Sequence, residues 1–247
     1  MSGHSKWSTI KRQKGAADTK RSQLFTKLSN AITLAVRQGG GVGDPALNFR
    51  LRLAIEAAKA SNMPKDNIER AITRAQGASA SDMQEVVYEG FGPGGFSIIV
   101  QAVTDNKLRT NAEIRNIFDK HGGSFGVPGS VSYQFAQKGS IIVSRRGKTV
   151  DDIFLLAADS GAEDVEEAGE EVIIYTRPEE LGIVREALQK EGIELREAKL
   201  IRKPLMLFPI TDAATANKAL SFTSLLEDHQ DVQEVFTNFD IPDELLE

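Results

Sequence analysis

The 247-residue sequence contains no cysteine, which removes disulfides and thiolate metal sites together and points to a reducing, cytoplasmic setting. Histidine is nearly as scarce: His4, His121 and His229 are scattered and show no His-Glu-x-x-His or related metal spacing. No Gly-x-Ser-x-Gly elbow supplies a nucleophile. The opening MSGHSKWSTIKRQK lacks the apolar stretch of a secretory signal, and no run approaches the roughly 20 apolar residues of a membrane span. These absences predict a soluble cytoplasmic protein with no membrane partner, no cofactor, no metal and no catalytic residues. What remains is globular in composition, at 40% hydrophobic and 26% charged, away from the signature of disorder.

The net charge of -5 hides an asymmetry. Residues 1–78 carry 14 Lys/Arg against 5 Asp/Glu, and residues 79–247 carry 16 against 30. A basic first part joined to an acidic remainder implies two separate jobs.

Apolar residues at three- and four-residue spacing predict a helix over Leu24–Val36, stopped by Gly39-Gly40-Gly41. A second helix starts near Pro45, with Leu47, Leu51, Ala54, Ile55 and Ala58 on its buried side, and a third has Pro64 in its first turn. The segment before Leu24 reads as an extended or loosely helical basic arm. From Glu85 onward β-branched and aromatic runs take over: a hairpin around Gly92-Pro93-Gly94-Gly95, a helix over 107–120 using Leu108, and a strand over 131–135. Elements over 140–199 follow the order β-α-β-β-α-β of a ferredoxin-like unit, and strand 205–210, helix 213–227 and strand 232–236 close the chain. The predicted fold class is α+β and multi-domain, an N-terminal three-helix domain followed by two ferredoxin-like α/β domains, one inserted in the other. The predicted boundaries are 1–78, then 79–137 plus 204–247 as a discontinuous domain, and 138–203 as the insert.

Several motifs carry a family resemblance. GHSKW at 3–7, Ala17-Asp18-Thr19-Lys20-Arg21, Asn62-Met63-Pro64, YEGFGPGG at 88–95, Asp105-Asn106 with Arg109-Thr110, Gly129-Ser130-Val131 and Asp231-Val232-Gln233-Glu234-Val235 stand in fixed order. With them the chain resembles the YebC/PmpR family of transcriptional regulators over nearly its whole length. The resemblance implies a three-domain cytoplasmic protein tied to nucleic-acid regulation. DNA is the partner of its bacterial members; translation on the ribosome, with ribosomal RNA or mRNA as partner, is the role of its mitochondrial relatives and is linked to bacterial ones as well.

The residues themselves place nucleic-acid contact in the basic part: Lys6, Lys11, Arg12, Lys14, Lys20, Arg21, Lys27, Arg50 and Arg52, with Arg37, Lys59, Arg70 and Arg74 nearby. Such a cluster gains affinity by releasing counterions from phosphates. Trp7, the single tryptophan, suits either stacking on an unpaired base or docking the arm onto the helices. The helix pair is similar to a helix-turn-helix but offers few side chains to base edges, so phosphate contact is expected to dominate. Gly92-Pro93-Gly94-Gly95 lacks the Lys and Ser/Thr of a phosphate loop and reads as a turn. The glycines at 39–41 and 43 read as a flexible joint. Asp105 or Thr104 is expected to cap the following helix. Acidic residues at 163–171 read as an exposed hairpin, serving solubility, a protein partner or self-association through the acidic domains.

Overall fold

The computed structural model describes residues 18–77, 83–146 and 148–245. It is an α+β protein: a helical region precedes two antiparallel sheets, and the chain divides into two compact units. One contains residues 15–134 and 207–247, and the other contains the intervening 135–206.

The helical region consists of α1 (Asp18–Gln38), α2 (Phe49–Ala60) and α3 (Lys65–Gln76). Ile32, Val36, Leu51, Ile55, Ala58, Ile68, Ala71 and Ala75 form its core, with Phe25, Leu28 and Ile72 packed against it. The chain is already helical at Asp18, so of the two expected states of the segment before Leu24 the helical one holds over residues 18–23, which belong to α1. Helix α2 starts later than Pro45 because Asp44 takes the next residues into a turn, its carboxylate accepting from Ala46 N at 2.8 Å. Leu47 therefore sits outside the helix, 80% exposed, not on the buried face.

The glycine run is a packed helix cap, not a loose joint. Gly40 and Gly41 adopt φ of 69° and 83°, and Gly41 N donates to Val36 O at 2.9 Å, as in left-handed C-caps. A Cβ on Gly39 would meet Asn48 Nδ2 at 2.2 Å. Buried Asn48 in turn caps α2 through Leu51 N at 3.1 Å while its amide donates to Ala35 O at 2.9 Å. One side chain thus fixes where α1 ends and α2 begins.

In the same unit, β1 (Gln84–Phe91) and β2 (Ser97–Thr104) form an antiparallel hairpin, followed by α4 (Lys107–Lys120) and β3 (Ser124–Phe125). After the intervening residues come β8 (Phe208–Pro209), α7 (Ala213–Glu227), β9 (Val232–Thr237) and β10 (Phe239–Asp240). The main sheet has the order β3-β1-β2-β9, with β10 and β8 as a separate parallel pair. Phe96, Phe118 and Phe222 interlock edge to face between the sheet and α4 and α7, with centroids 5.1 Å apart for Phe118 and Phe222. Helix α1 packs on β2 and β9 from the other face, where Ile99, Val103 and Phe236 are buried.

Leu108, expected inside α4, is 85% exposed because it lies in the first turn, beyond the sheet. No strand forms over 131–135: residues 132–134 make a tight helical turn and the strand begins at Phe135.

The second unit runs β4 (Phe135–Ser144), α5 (Val150–Asp159), β5 (Ala162–Ala168), β6 (Glu171–Thr176), α6 (Leu181–Lys190) and β7 (Leu195–Pro204). Its strand order β5-β6-β4-β7, all antiparallel, is the ferredoxin-like arrangement. Gly139 is required where α6 crosses β4, since a Cβ there would meet Thr176 Oγ1 at 2.3 Å and Leu181 Cβ at 2.9 Å.

The revised start of α2 has a direct test. Leu51→Ala should cost about 3 kcal/mol through the cavity it leaves, whereas Leu47→Ala should stay within about 0.5 kcal/mol. Equal losses in urea unfolding would restore Leu47 to the core.

Candidate nucleic-acid interface

Lys6, Trp7, Lys11, Arg12 and Lys14 lie outside the described residues, and Lys20 stands in the first turns of α1. On the next turns Arg21, Ser22, Phe25, Thr26 and Ser29 line, with Asn67 of α3, an open groove of about 480 Å³. The groove joins a guanidinium to hydroxyl and amide groups over an apolar floor, a lining suited to a phosphate and its sugar.

The structure separates the remaining expected residues. Lys27 donates from Nζ to the carbonyl of Glu227 at the end of α7, so it ties α1 to the sheet domain. Arg52 is half-buried and donates to Pro45 O and Ala46 O, each at 3.1 Å, with Phe49 6.0 Å below its guanidinium. Arg50 is exposed and joins a chain of polar side chains through Gln38 to Glu85 and on to Gln101. Arg21 and Arg50 are exposed, while Lys27 and Arg52 are built into the fold.

On α3 the exposed cations are partly engaged with their own helix. Lys65 pairs with Glu69 at 3.2 Å, and Arg70 donates to Asp66 O at 3.2 Å and to the Asn67 side chain. Lys59 and Arg74 occupy the last turns of α2 and α3, where cations meet the negative helix end favourably.

Two buried carboxylates organise the rest of this unit, and neither stood out in the sequence. Asp231, just before β9, accepts from Arg109 at 2.9 Å and from the Thr110 hydroxyl at 2.6 Å, while Val103 N donates to its carbonyl at 2.8 Å. Burial opposes its ionisation, but the Thr110 and Arg109 donors prevail and hold the carboxyl below its ordinary value of 3.8. The cap of α4 is Asn106, which accepts from Arg109 N at 3.1 Å, rather than Asp105 or Thr104. Thr104 instead accepts from Asn106 N at 2.9 Å, and Asp105 pairs with Arg109 at 3.1 Å. The polar cluster of 104–110 is thus a lock between α4 and β9.

Glu113, His229 and Asp231 bring potential ligand atoms within 4.8 Å of one another. Their hydrogen bonds leave no imidazole lone pair for a cation. Nδ1 of His229 accepts from Asp231 N at 3.2 Å, which puts the neutral ring's proton on Nε2, facing Glu113 Oε2 at 2.9 Å.

Glu89 on β1 is the second organiser. Its carboxylate accepts from Gly129 N, Val131 N and Ser132 N at 2.8, 2.8 and 2.9 Å. Burial raises its pKa, yet these donors outweigh burial and hold it below the ordinary 4.5. Glu89 and Gly129-Ser130-Val131 both belong to motifs that carry the family resemblance, and that was the available signal; nothing local pairs them.

The Gly92-Pro93-Gly94-Gly95 segment is a tight turn, closed by Gly95 N to Gly92 O at 2.9 Å. The acidic stretch at 163–171 is less exposed in charge than expected. Lys138 pairs with Glu163, Arg145 with Glu167, and Lys203 with Asp164 and Glu166 at 2.9 and 3.0 Å.

Among the described residues no helix is long and apolar enough to cross a membrane. The fold and the lock define an α+β protein with a basic helical region ahead of two sheet domains. Residues 5–78 match the TACO1/YebC protein N-terminal domain, and residues 83–239 match the TACO1/YebC second and third domain. A probable transcriptional regulatory protein of Dictyoglomus thermophilum is 49% identical over 249 residues, covering 100% of this chain and 99% of that protein. One so named from Chloroflexus aggregans is 50% identical over 251 residues, covering 100% and 98%. The crystal structure of a conserved hypothetical protein from Aquifex aeolicus superposes with a TM-score of 0.85 at 44% identity, covering 93% of this chain and 94% of that one. The chain belongs to the TACO1/YebC family.

Asp231→Ala should lower stability by about 2 kcal/mol, since it strips Arg109 and Thr110 of their shared acceptor; Asp231→Asn should cost less because its amide oxygen still accepts from Thr110. Unfolding midpoints in urea rank the two. Glu89 contributes stability that is fully present above its unfolded value of 4.5 and is lost as the pH falls through the lowered folded value. Protection of the Val131 and Ser132 amides, taken relative to their intrinsic exchange rates, should therefore fall as the pH drops through the lowered folded value, below 4.5, and show no such step in Glu89→Gln.

Proposed function

We propose that this protein is a cytoplasmic nucleic-acid-binding regulator of transcription, which binds duplex DNA through residues 1–78 and acts by binding rather than by catalysis. The observation that carries the reading is the charge polarity, 14 Lys/Arg against 5 Asp/Glu in residues 1–78 of an acidic protein. The names of the relatives agree with it. Phosphates are taken by the arm cations Lys6, Lys11, Arg12 and Lys14, by Lys20, and by Arg21 at the groove of α1 and α3, with Arg50 flanking. The acidic sheet domains serve as a body for a protein partner or for self-association.

A second reading is favoured by one feature. Arg70 and Lys65 on α3 are engaged within their own helix, which leaves little for base edges and makes recognition chiefly one of backbone. Backbone recognition serves folded RNA as well as duplex DNA, so a ribosome-associated translation factor binding ribosomal RNA or mRNA uses the same surface.

Reversing Lys11, Arg12 and Lys14 to Glu should abolish gel-shift binding, and Arg21→Glu should weaken it about tenfold, each with a shallower dependence on salt. Lys27→Met should lower the melting temperature more than the affinity. Co-sedimentation with ribosomes at moderate salt, set beside affinity for a random duplex, chooses between the readings. Firm ribosome association with only non-specific DNA affinity would sink the DNA reading.

A further inference from the structure

Residues 121–137 contain no Asp, Glu, Lys or Arg, although a quarter of the chain is charged. Part of this neutral stretch forms an outward loop between β3 and β4, and two of its side chains, Val127 and Tyr133, are each 72% exposed. An exposed aromatic ring on a loose loop is unremarkable, but this loop is fixed from beneath. The Glu89 carboxylate holds three donors, Gly129 N, Val131 N and Ser132 N, and the Val131 side chain is fully buried. Gly129 has φ of 90°, a conformation that turns its N–H toward Glu89 and that other residues adopt only with strain. On the far side, the Gln134 amide donates to the Tyr133 hydroxyl at 3.3 Å and accepts from Asn238 Nδ2 at 3.3 Å. Asn238 itself holds Ser97 N at 2.7 Å.

Burying a carboxylate to order a loop is costly, and the loop so ordered displays apolar surface to water. A surface of that kind spends no ordering entropy when a partner arrives. It offers no cation to a phosphate and no carboxylate to repel one. A planar, neutral partner that arrives on a strand already held elsewhere by cations fits it best.

We propose that the Glu89-clamped loop is a stacking platform for an unpaired nucleobase, with Tyr133 as the stacking ring. The inference rests on the nucleic-acid reading above and deepens it by naming unpaired bases, in RNA or in melted DNA, as the second thing recognised. Glu89 is a positioning residue: it holds the loop through Gly129 N, Val131 N, Ser132 N and the Ser132 side chain and acts through Tyr133.

The test uses the full chain with unstructured single strands of RNA and DNA and with the matching duplexes, followed by fluorescence anisotropy. Tyr133→Ala should weaken single-strand binding about tenfold and change duplex binding less than twofold. Tyr133→Phe keeps the ring and should bind like wild type. Glu89→Gln should reproduce part of the Tyr133→Ala loss without altering the charge reversal phenotype of the arm. Because Tyr133 is exposed, its variants should keep the wild-type unfolding midpoint. In a Trp7→Phe chain, whose own single-strand affinity is measured first as the reference, Tyr133→Trp places the sole tryptophan on the platform, and single strands should quench its emission. Single-strand affinity unchanged in Tyr133→Ala, with binding still abolished by reversal of Lys11, Arg12 and Lys14, overturns the platform and leaves the nucleic-acid reading standing. Loss of neither binding mode in either variant overturns both.

Discussion

Strand β2 lies between two layers of helix, and the rest of its unit is arranged around that burial. Ile98, Ile99, Val100 and Ala102 are fully buried and Val103 nearly so, each worth about 1 to 3 kcal/mol according to its size. Alternate residues face opposite sides, so Ile98 and Val100 meet the Phe118 and Phe222 layer while Ile99 and Val103 meet α1. A strand of this kind needs partners on both edges and covers on both faces. The hairpin mate β1 and helix α4 come from nearby sequence; β9 and α7 come from beyond residue 207, and α1 from the far N-terminal side.

The electrostatics follow the same division between fold and surface. Carboxylates that look like a sticky acidic hairpin in the sequence are largely answered within the second unit by Lys138, Arg145 and Lys203. Lys203 also lies 3.5 Å over the Tyr175 ring. Such cross-strand pairs suit the outer face of a sheet and protect its edges against pairing with other chains. In the helical region the cations divide into those that close the fold, Lys27 and Arg52, and those that are exposed, Arg21 and Arg50.

Much of this was legible in the sequence, and the misses share a cause. The bounds of the helices over 107–120 and 213–227 were readable to the residue from their apolar spacing, although the cap of the first proved to be Asn106 and its Leu108 is exposed. The β-α-β-β-α-β order of the second unit was readable for the same reason. Residues 131–135 alternate like a strand, yet the N–H groups of Val131 and Ser132 go to a carboxylate more than 40 residues away, and no local pattern announces that. The glycine run looked loose because its restraints, Asn48 and Gln76, lie elsewhere in the chain. For the candidate site, charge composition pointed to the basic region, but it could not show that Lys27 and Arg52 donate to backbone carbonyls. Asp231 and Arg109 stand 122 residues apart, and only their membership in family motifs connected them.

The placement of β9 has a consequence for synthesis. The ribosome releases β1, β2 and α4 long before residue 232, so β2 waits with one edge unpaired and α4 without the carboxylate of Asp231. Residues 135–206 meanwhile emerge as a continuous stretch whose first and last strands pair end to end, Phe135 with Pro204, and can close on themselves. The intervening unit thus has all of its strand partners within its own stretch of chain while its host still lacks one. Only when β9 leaves the exit tunnel does β2 gain a partner on its second edge, and until then the nascent chain must keep that bare edge from pairing with a neighbour.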